Sequence, residues 1–499
     1  MDAKDAPGFP NNLLWTDPSL TRYPLRTLDA DRHHRRAAPR IAPGPPWDSS
    51  PASPVTHTSR APLPLGLTGY QWTVILAAWL GWGFDIFDGL LFNFVAPNCI
   101  PTLLGLPIGS PAARSATLFW TGLLTSVLLI GWAIGGTLFG RLADRIGRTR
   151  TLMLTMVLYA VGTSLCAIAP NVWVLGFFRL IASLGIGGEW AAGAAMVAEV
   201  VPERRRVEAG ALLYTSAPVG LALATLVNFQ IAGVWLRDRP DISWRYVFLA
   251  GLLPAGVALI VRLFVREPER WANVARHAAP PRLAELFHAA NRPLVISGLI
   301  TALTALITWW SCNAFIPVIA SGLANVEAAQ RSLDRGQTFA LVEAWKAQAT
   351  NWFNIGGLIG TLLTIPAAKL MGRRPMFATY FIVSGLSVLA TFGLPLAPQT
   401  RIVMYFLIGL SVFGVFGSFT YYLPELFPTR LRGTGSGFCY NIGRIVAAAG
   451  PFLVGAIASR GVSALDTAMT ALFWVGLVPF IGLAGLPWVI ETRGQTLRD

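Results

Sequence analysis

Residues 131–148 read GWAIGGTLFGRLADRIGR, and residues 356–373 read GGLIGTLLTIPAAKLMGR. Laid over each other at a spacing of about 225 residues, Gly131 and Gly135 fall on Gly356 and Gly360, and Gly147-Arg148 falls on Gly372-Arg373. Farther along, Glu199-x-x-Pro202-x-Arg204 returns as Glu425-x-x-Pro428-x-Arg430. Around the two copies lie twelve apolar stretches of membrane-spanning length, six to each half. A membrane protein duplicated in this way has the build of a transporter. Its substrate is expected near the bilayer midplane between the halves, with access alternating as one half rocks against the other.

Composition agrees. The chain has 499 residues, 54% of them apolar and 13% charged, and a mean hydropathy of +0.54, more apolar surface than one soluble core can hide. A hydrocarbon core of about 30 Å takes about 20 helical residues to cross, and the uncharged run from Thr151 to Ala169 is one of many near that length. Helices are expected near 70–96, 116–140, 150–169, 172–199, 208–235, 244–265, 293–320, 351–371, 375–396, 401–424, 433–459 and 465–490. Lipid offers no partner to a backbone amide, so the spans must satisfy themselves as helices. A closed barrel would show short alternating strands instead. The fold class is therefore an all-α membrane protein of twelve transmembrane helices in two six-helix halves, 66–265 and 293–492. A polar cytoplasmic linker, 266–292, joins them, and a Pro-, Arg-, Asp- and Ser-rich segment, 1–65, reads as a disordered cytoplasmic tail. A second polar segment, 321–350, is expected as an external loop between helices seven and eight.

A net charge of +14 raises the question of nucleic acid. Most basic residues beyond the tail, however, stand in short loops beside helix ends, among them Arg141, Arg145, Arg148, Arg150, Arg204, Arg205, Arg206, Arg373 and Arg374. Such arginines set orientation: both termini inside an inner (plasma) membrane of bacterial type, and no nucleic-acid partner. Arg237, Arg239 and Arg245 in an outer loop, with Arg114 and Arg460, break the rule. Cys99, Cys166, Cys312 and Cys439 lack metal-ligand spacing and read as packing residues. No metal and no cofactor is implied.

The loop Gly140-Arg141-Leu142-Ala143-Asp144-Arg145-Ile146-Gly147-Arg148 resembles the signature loop after the second helix of the major facilitator superfamily, and the likeness covers about 66–495. In the second half Lys369 stands where Asp144 is expected. Arg266-Glu267-Pro268-Glu269-Arg270-Trp271 and Glu491-Thr492-Arg493-Gly494-Gln495-Thr496-Leu497 look like sugar-porter signatures. Phe84-Asp85-Ile86-Phe87-Asp88-Gly89, Gly187-Gly188-Glu189-Trp190 and Asn441-Ile442-Gly443-Arg444 look more like proton symporters of carboxylates and aromatic acids. The resemblance implies that Asp144, Arg145 and Arg148 gate the cytoplasmic side, with Glu199, Glu425, Arg204 and Arg430 as their charge network. Solvated loop charges are the plainer reading of the latter four.

Inside the spans, ionisable groups are costly and mark cavities, proton routes or structural pairs. Asp85 and Asp88 share one face of the first helix, roughly 22 to 27 Å in from Tyr70. Under the repeat, Asp88 corresponds to Asn313. Glu189 sits among glycines that admit a neighbouring helix. Arg444, counted from Gly433, lies roughly 16 Å deep, near the midplane, where its planar fork can hold a carboxylate. No acidic residue of the second half is expected at that depth, leaving an anionic substrate or a structural pair with Asp85, Asp88 or Glu189. Arg179 is first read as a structural partner of Asp85 or Asp88 and second as a substrate contact. The candidate substrate residues are thus Arg444, Arg179 and Asn313. Three carboxylates against two arginines leave one to titrate, and Asp88, Glu189 and Asp85 are the proton-coupling candidates.

No nucleotide-binding Gly-rich loop, metal cluster or nucleophile–base pair stands in the spans, which argues against an enzyme. The expected function is secondary active symport of a small organic anion with a proton. Sugar or polyol transport is the alternative, favoured by the two sugar-porter-like segments and disfavoured by a midplane arginine.

Overall fold

The computed structural model describes residues 64–146, 148–187, 197, 200–252, 256–257, 260, 282–428 and 431–495. The side chains of 140, 141, 143–146, 148, 149, 152 and 203 lie outside that description. So do Glu189, Glu199, Arg430, most of the expected tail and most of the expected linker. Asp144, Arg145 and Arg148 are placed on helical backbone, but their side chains are among those outside it.

Every regular element among the described residues is helical, and helix stands at each of the twelve expected positions. The spans are α1 (Gly69–Leu104), α2 (Pro111–Ile146), α3 (Arg148–Cys166), α4 (Val172–Gly187), α5 (Arg206–Trp235), α6 (Pro240–Ala250), α7 (Arg292–Gln330), α8 (Arg335–Leu370), α9 (Arg373–Gly393), α10 (Pro398–Leu426), α11 (Arg432–Arg460) and α12 (Ala464–Ala484). Thr68 opens α1 with a capping box: its hydroxyl accepts the Gln71 N–H at 3.3 Å while the Gln71 side chain accepts the Thr68 N–H at 2.8 Å. The end where α1 begins is called proximal below, and the end near Leu104 distal.

One expectation is corrected. Residues 321–350 are not a loop, because α7 continues to Gln330 and α8 begins at Arg335. Asp334 and Gln337 form a second capping box there, the Asp334 carboxylate accepting the Gln337 N–H at 2.8 Å. Helix thus begins about 16 residues before hydropathy alone placed it, and its polar residues are carried into the distal part of the bundle.

The duplication is visible in the packing. In each half the second helix lies along the fourth (α2 on α4, α8 on α10) and the first along the fifth (α1 on α5, α7 on α11). The repeated glycines lie at those contacts: a Cβ on Gly135 would strike the Leu184 carbonyl, and one on Gly360 the Leu410 carbonyl. Without a hydrophobic drive between helices in lipid, such backbone approach is what van der Waals packing needs. The halves meet along α2–α11, α5–α8 and α1–α7. Several helices crossing this interface are broken within it: α7 between Asn313 and Ile316, α5 at Thr215, and α10 through a π turn (Gly409–Phe413) and a 3₁₀ turn (Gly414–Ser418). Breaks free backbone polar groups and are tolerated where protein, not lipid, surrounds them.

Gly135→Val and Gly360→Val should each destabilise the fold by about 3 kcal/mol or more, since neither helix pair can take up a branched side chain against backbone. The check is the thermal midpoint of the purified protein in detergent. An unchanged midpoint would show that these contacts are not formed.

Candidate functional site

Arg444 is 4% exposed and stands in a cage of aromatic rings drawn from both halves. Its guanidinium carbon lies 4.9 Å from the Trp132 ring centroid and 4.7 Å from that of Tyr440, and Nη1 donates to Asn441 Oδ1 at 3.2 Å. Trp132 meets Trp310 edge-on at 5.4 Å, Trp310 meets Trp309 at 4.5 Å, and Trp309 packs on Phe413 and Phe416. Tyr214, stacked on Phe416, closes the ring back to Trp82 of α1. Cation–π contact and burial among rings are what make a charge tolerable at this depth. The indole N–H groups of Trp132 and Trp309 and the Asn313 amide NH₂ make no hydrogen bond within the protein. The cluster therefore offers donors and flat faces.

The first-half carboxylates divide. Asp85, one turn from Trp82, is the carboxylate within electrostatic reach of Arg444. Asp88 points into its own half. Its Oδ2 accepts the Thr163 hydroxyl at 2.6 Å, while Oδ1 makes no hydrogen bond. Arg179 does not form the expected contact pair with either aspartate. Its Nη2 donates to the Gly89 carbonyl at 2.9 Å and its guanidinium covers the Phe92 ring at 4.8 Å, so it acts on Asp88 only at longer range. These contacts tie α4 to α1 inside the first half, and none of them reaches the Arg444 cage. Asn313 is buried at the break in α7, where its position in the repeat matches that of Asp88.

The second half does carry a fully buried carboxylate, Glu343, but in the distal part of α8 and not beside Arg444. Its Oε1 accepts Lys346 Nζ at 2.6 Å and Asn98 Nδ2 at 3.2 Å, and its Oε2 accepts Asn228 Nδ2 at 2.9 Å. Asn98 is on α1 and Asn228 on α5, so a second-half ion pair is hydrogen-bonded to the first half at the distal end. The sequence did carry a signal. Asp334-Arg335-Gly336-Gln337 is a capping-box pattern, and a helix started there puts Glu343 and Lys346 three residues apart on one face.

At the proximal end the cross-half contact is Lys369 of α8 against Glu208 of α5, with Arg205 on the same carboxylate at 3.2 Å. Lys369, the departure from the repeat, thus has a partner in the other half. Glu425 is bonded to Arg373: the fork binds both its oxygens at 2.8 and 3.1 Å, and Thr492 donates to it at 2.6 Å. Arg204 is exposed. Glu491 caps α9, accepting the Arg373 and Arg374 N–H groups at 2.9 Å each. Partial burial works against its charge, yet these N–H groups and that of Arg493 hold the carboxyl below the usual range. Gly372, at φ 97°, makes the turn, and a side chain there would collide with Glu491.

Residues 71–451 match the profile of the Major Facilitator Superfamily. The chain belongs to that superfamily. It is 30% identical to the "Probable 4-methylmuconolactone transporter" of Cupriavidus pinatubonensis, over 85% of this chain and 91% of that one. To the "Gentisate transporter" of Corynebacterium glutamicum it is 27% identical, over 78% and 82%. Among solved structures, a D-xylose–proton symporter superposes with a TM-score of 0.66 at 19% identity, covering 86% of this chain and all of that one. That last likeness concerns the fold alone.

As a superfamily member the chain is an integral membrane protein and a secondary transporter, not an enzyme. Its two halves are cross-linked at both ends in this structure, by Glu208–Lys369 proximally and by the Glu343 cluster distally, with the Arg444 cage between. Lys346→Met should cost about 3–5 kcal/mol, because it strands a buried carboxylate, whereas Glu343→Gln combined with Lys346→Met should recover most of the loss. Thermal midpoints of the single and double variants measure this. A double variant as unstable as the single would show that the pair is not the source.

Proposed function

We propose that this transporter moves a small organic anion with a flat, conjugated or aromatic body, together with a proton, across a bacterial inner membrane in which both termini are cytoplasmic. The observation that carries the reading is the Arg444 cage: a guanidinium flanked by Trp132 and Tyr440, with indole and amide donors that make no bond within the protein. A carboxylate takes the planar fork and the donors, and a flat body takes the ring faces. The relatives named for a muconolactone and for gentisate point to the same class.

Coupling follows from charge balance. Arg444 and Asp85 together are neutral, and a substrate anion on Arg444 would leave one uncompensated negative charge in a water-poor cluster. A proton on Asp85 removes it. Asp88, bonded to Thr163 within the first half, then serves mainly to hold α1 against α3. Glu189 stays a second candidate, and Asp144, Arg145 and Arg148 stay the proposed proximal gate.

Uptake of labelled benzoate, gentisate, muconate, xylose and a polyol into proteoliposomes, with and without an imposed pH gradient, tests the reading. The carboxylates should accumulate and the neutral compounds should not. Arg444→Lys should lose at least as much as about 100-fold of this uptake, since an ammonium keeps the charge but not the fork. Full activity in the Lys variant would reduce Arg444 to a structural charge.

Asp85→Asn should abolish pH-driven accumulation while preserving counterflow exchange, which needs only a loaded carrier to reorient. Asp88→Asn should retain both at reduced yield. The opposite pattern would make Asp88 the carrier.

A further inference from the structure

Three of the five arginines that break the positive-inside pattern, Arg114, Arg237 and Arg239, converge on one place. At the distal end a cavity of about 510 Å³ opens between the halves, with Arg114, Arg237 and Arg239 from the first half and Arg335 from the second in its wall. Two aspartates share it, but Asp241 is already held by Arg239 through two contacts of 3.2 Å. Arg114, Arg237 and Arg335 make no ion pair within contact distance, leaving the wall positive against Asp238 alone. Neither orientation nor helix stability accounts for this. Arginines on the external face oppose insertion with that face outward. Arg335 occupies the first turn of α8, where the helix dipole already carries positive charge. Both costs are borne at the mouth of one cavity, and both attract an anion.

The cavity also reaches the distal cross-half cluster. Asn98 stands in its wall, and the same side chain donates to Glu343 in the distal cross-half cluster. An anion collected here waits directly on the contact that must release before the distal end opens. Phe339, Val342 and Pro101 supply apolar surface beside the arginines, which matches an anion with a flat body better than a small inorganic ion.

We propose that this cavity is a capture site for the carboxylate substrate, distinct from the Arg444 cage and filled before it. The proposal rests on the anion reading above. Arg237 and Arg335 hold the carboxylate from opposite halves, and the field of the wall raises its local concentration.

Two measurements test it. In proteoliposomes, Arg237→Ala/Arg335→Ala should raise the KM for the transported carboxylate about fivefold, keep the maximal rate within about twofold, and flatten the rise of KM with salt that the wild type shows. A KM and salt response equal to wild type would overturn the proposal. Separately, equilibrium dialysis of labelled benzoate against purified Arg444→Ala protein should show weak, salt-sensitive binding that disappears when Arg237→Ala/Arg335→Ala is added. No such binding in the Arg444→Ala protein would also overturn it. If the binding is present but no carboxylate of the panel is transported by the wild type, the capture site stands and the functional reading fails.

Discussion

A bilayer gives no water to a polar group, and the whole chain is arranged under that constraint. Backbone amides satisfy themselves in helices, and a buried ion pair is costly unless protein surrounds it with partners. Glu343 shows how far this goes. Fully buried, it is held by one ammonium and two side-chain amides from three different helices. Taking two charges out of water costs several kcal/mol per ion, and only dense hydrogen bonding offsets it. The quartet therefore brings α1, α5 and α8 together, and with them the distal seam between the halves. Arg444 meets the same demand with aromatic faces and the Asn441 amide set against its guanidinium.

The Arg444 cage belongs to neither half. Trp82, Trp132 and Tyr214 come from the first, and Trp309, Trp310, Phe413, Phe416 and Tyr440 from the second. Its walls come together only when α1, α2 and α5 stand against α7, α10 and α11. On the function proposed above, binding in the cage and closure of the halves would be one event. Breaks in α5, α7 and α10 lie among these same residues, where a hinge can flex without dismantling a whole span.

Much of this was legible in the sequence, for identifiable reasons. Glycines at matched positions announced the two-fold repeat, since close backbone approach leaves few substitutes. The burial of Arg444 followed from counting along one apolar span. Hydropathy misread 321–350, because a helix with one face buried in protein can carry Glu343 and Lys346 on that face without looking transmembrane. The contact pair expected of Arg179 failed because a carbonyl and a ring can replace a carboxylate, and neither leaves a trace in residue spacing. The aromatic cage was unreadable because its members span more than 350 residues and meet only through the packing of the two halves.

The proximal Glu208–Lys369 contact and the distal Glu343 cluster differ in one respect with its own consequence. Lys369 is about half exposed, with a side-chain exposure of 45%, while Glu343 and Lys346 have none. Mobile ions screen the first and cannot reach the second. Raising ionic strength thus weakens the Glu208–Lys369 contact and leaves the Glu343–Lys346 pair untouched, and about 1.4 kcal/mol of such weakening shifts a two-state balance tenfold. The protein carries in its geometry a bias in resting orientation that the salt of the surrounding fluid sets, without any ligand taking part.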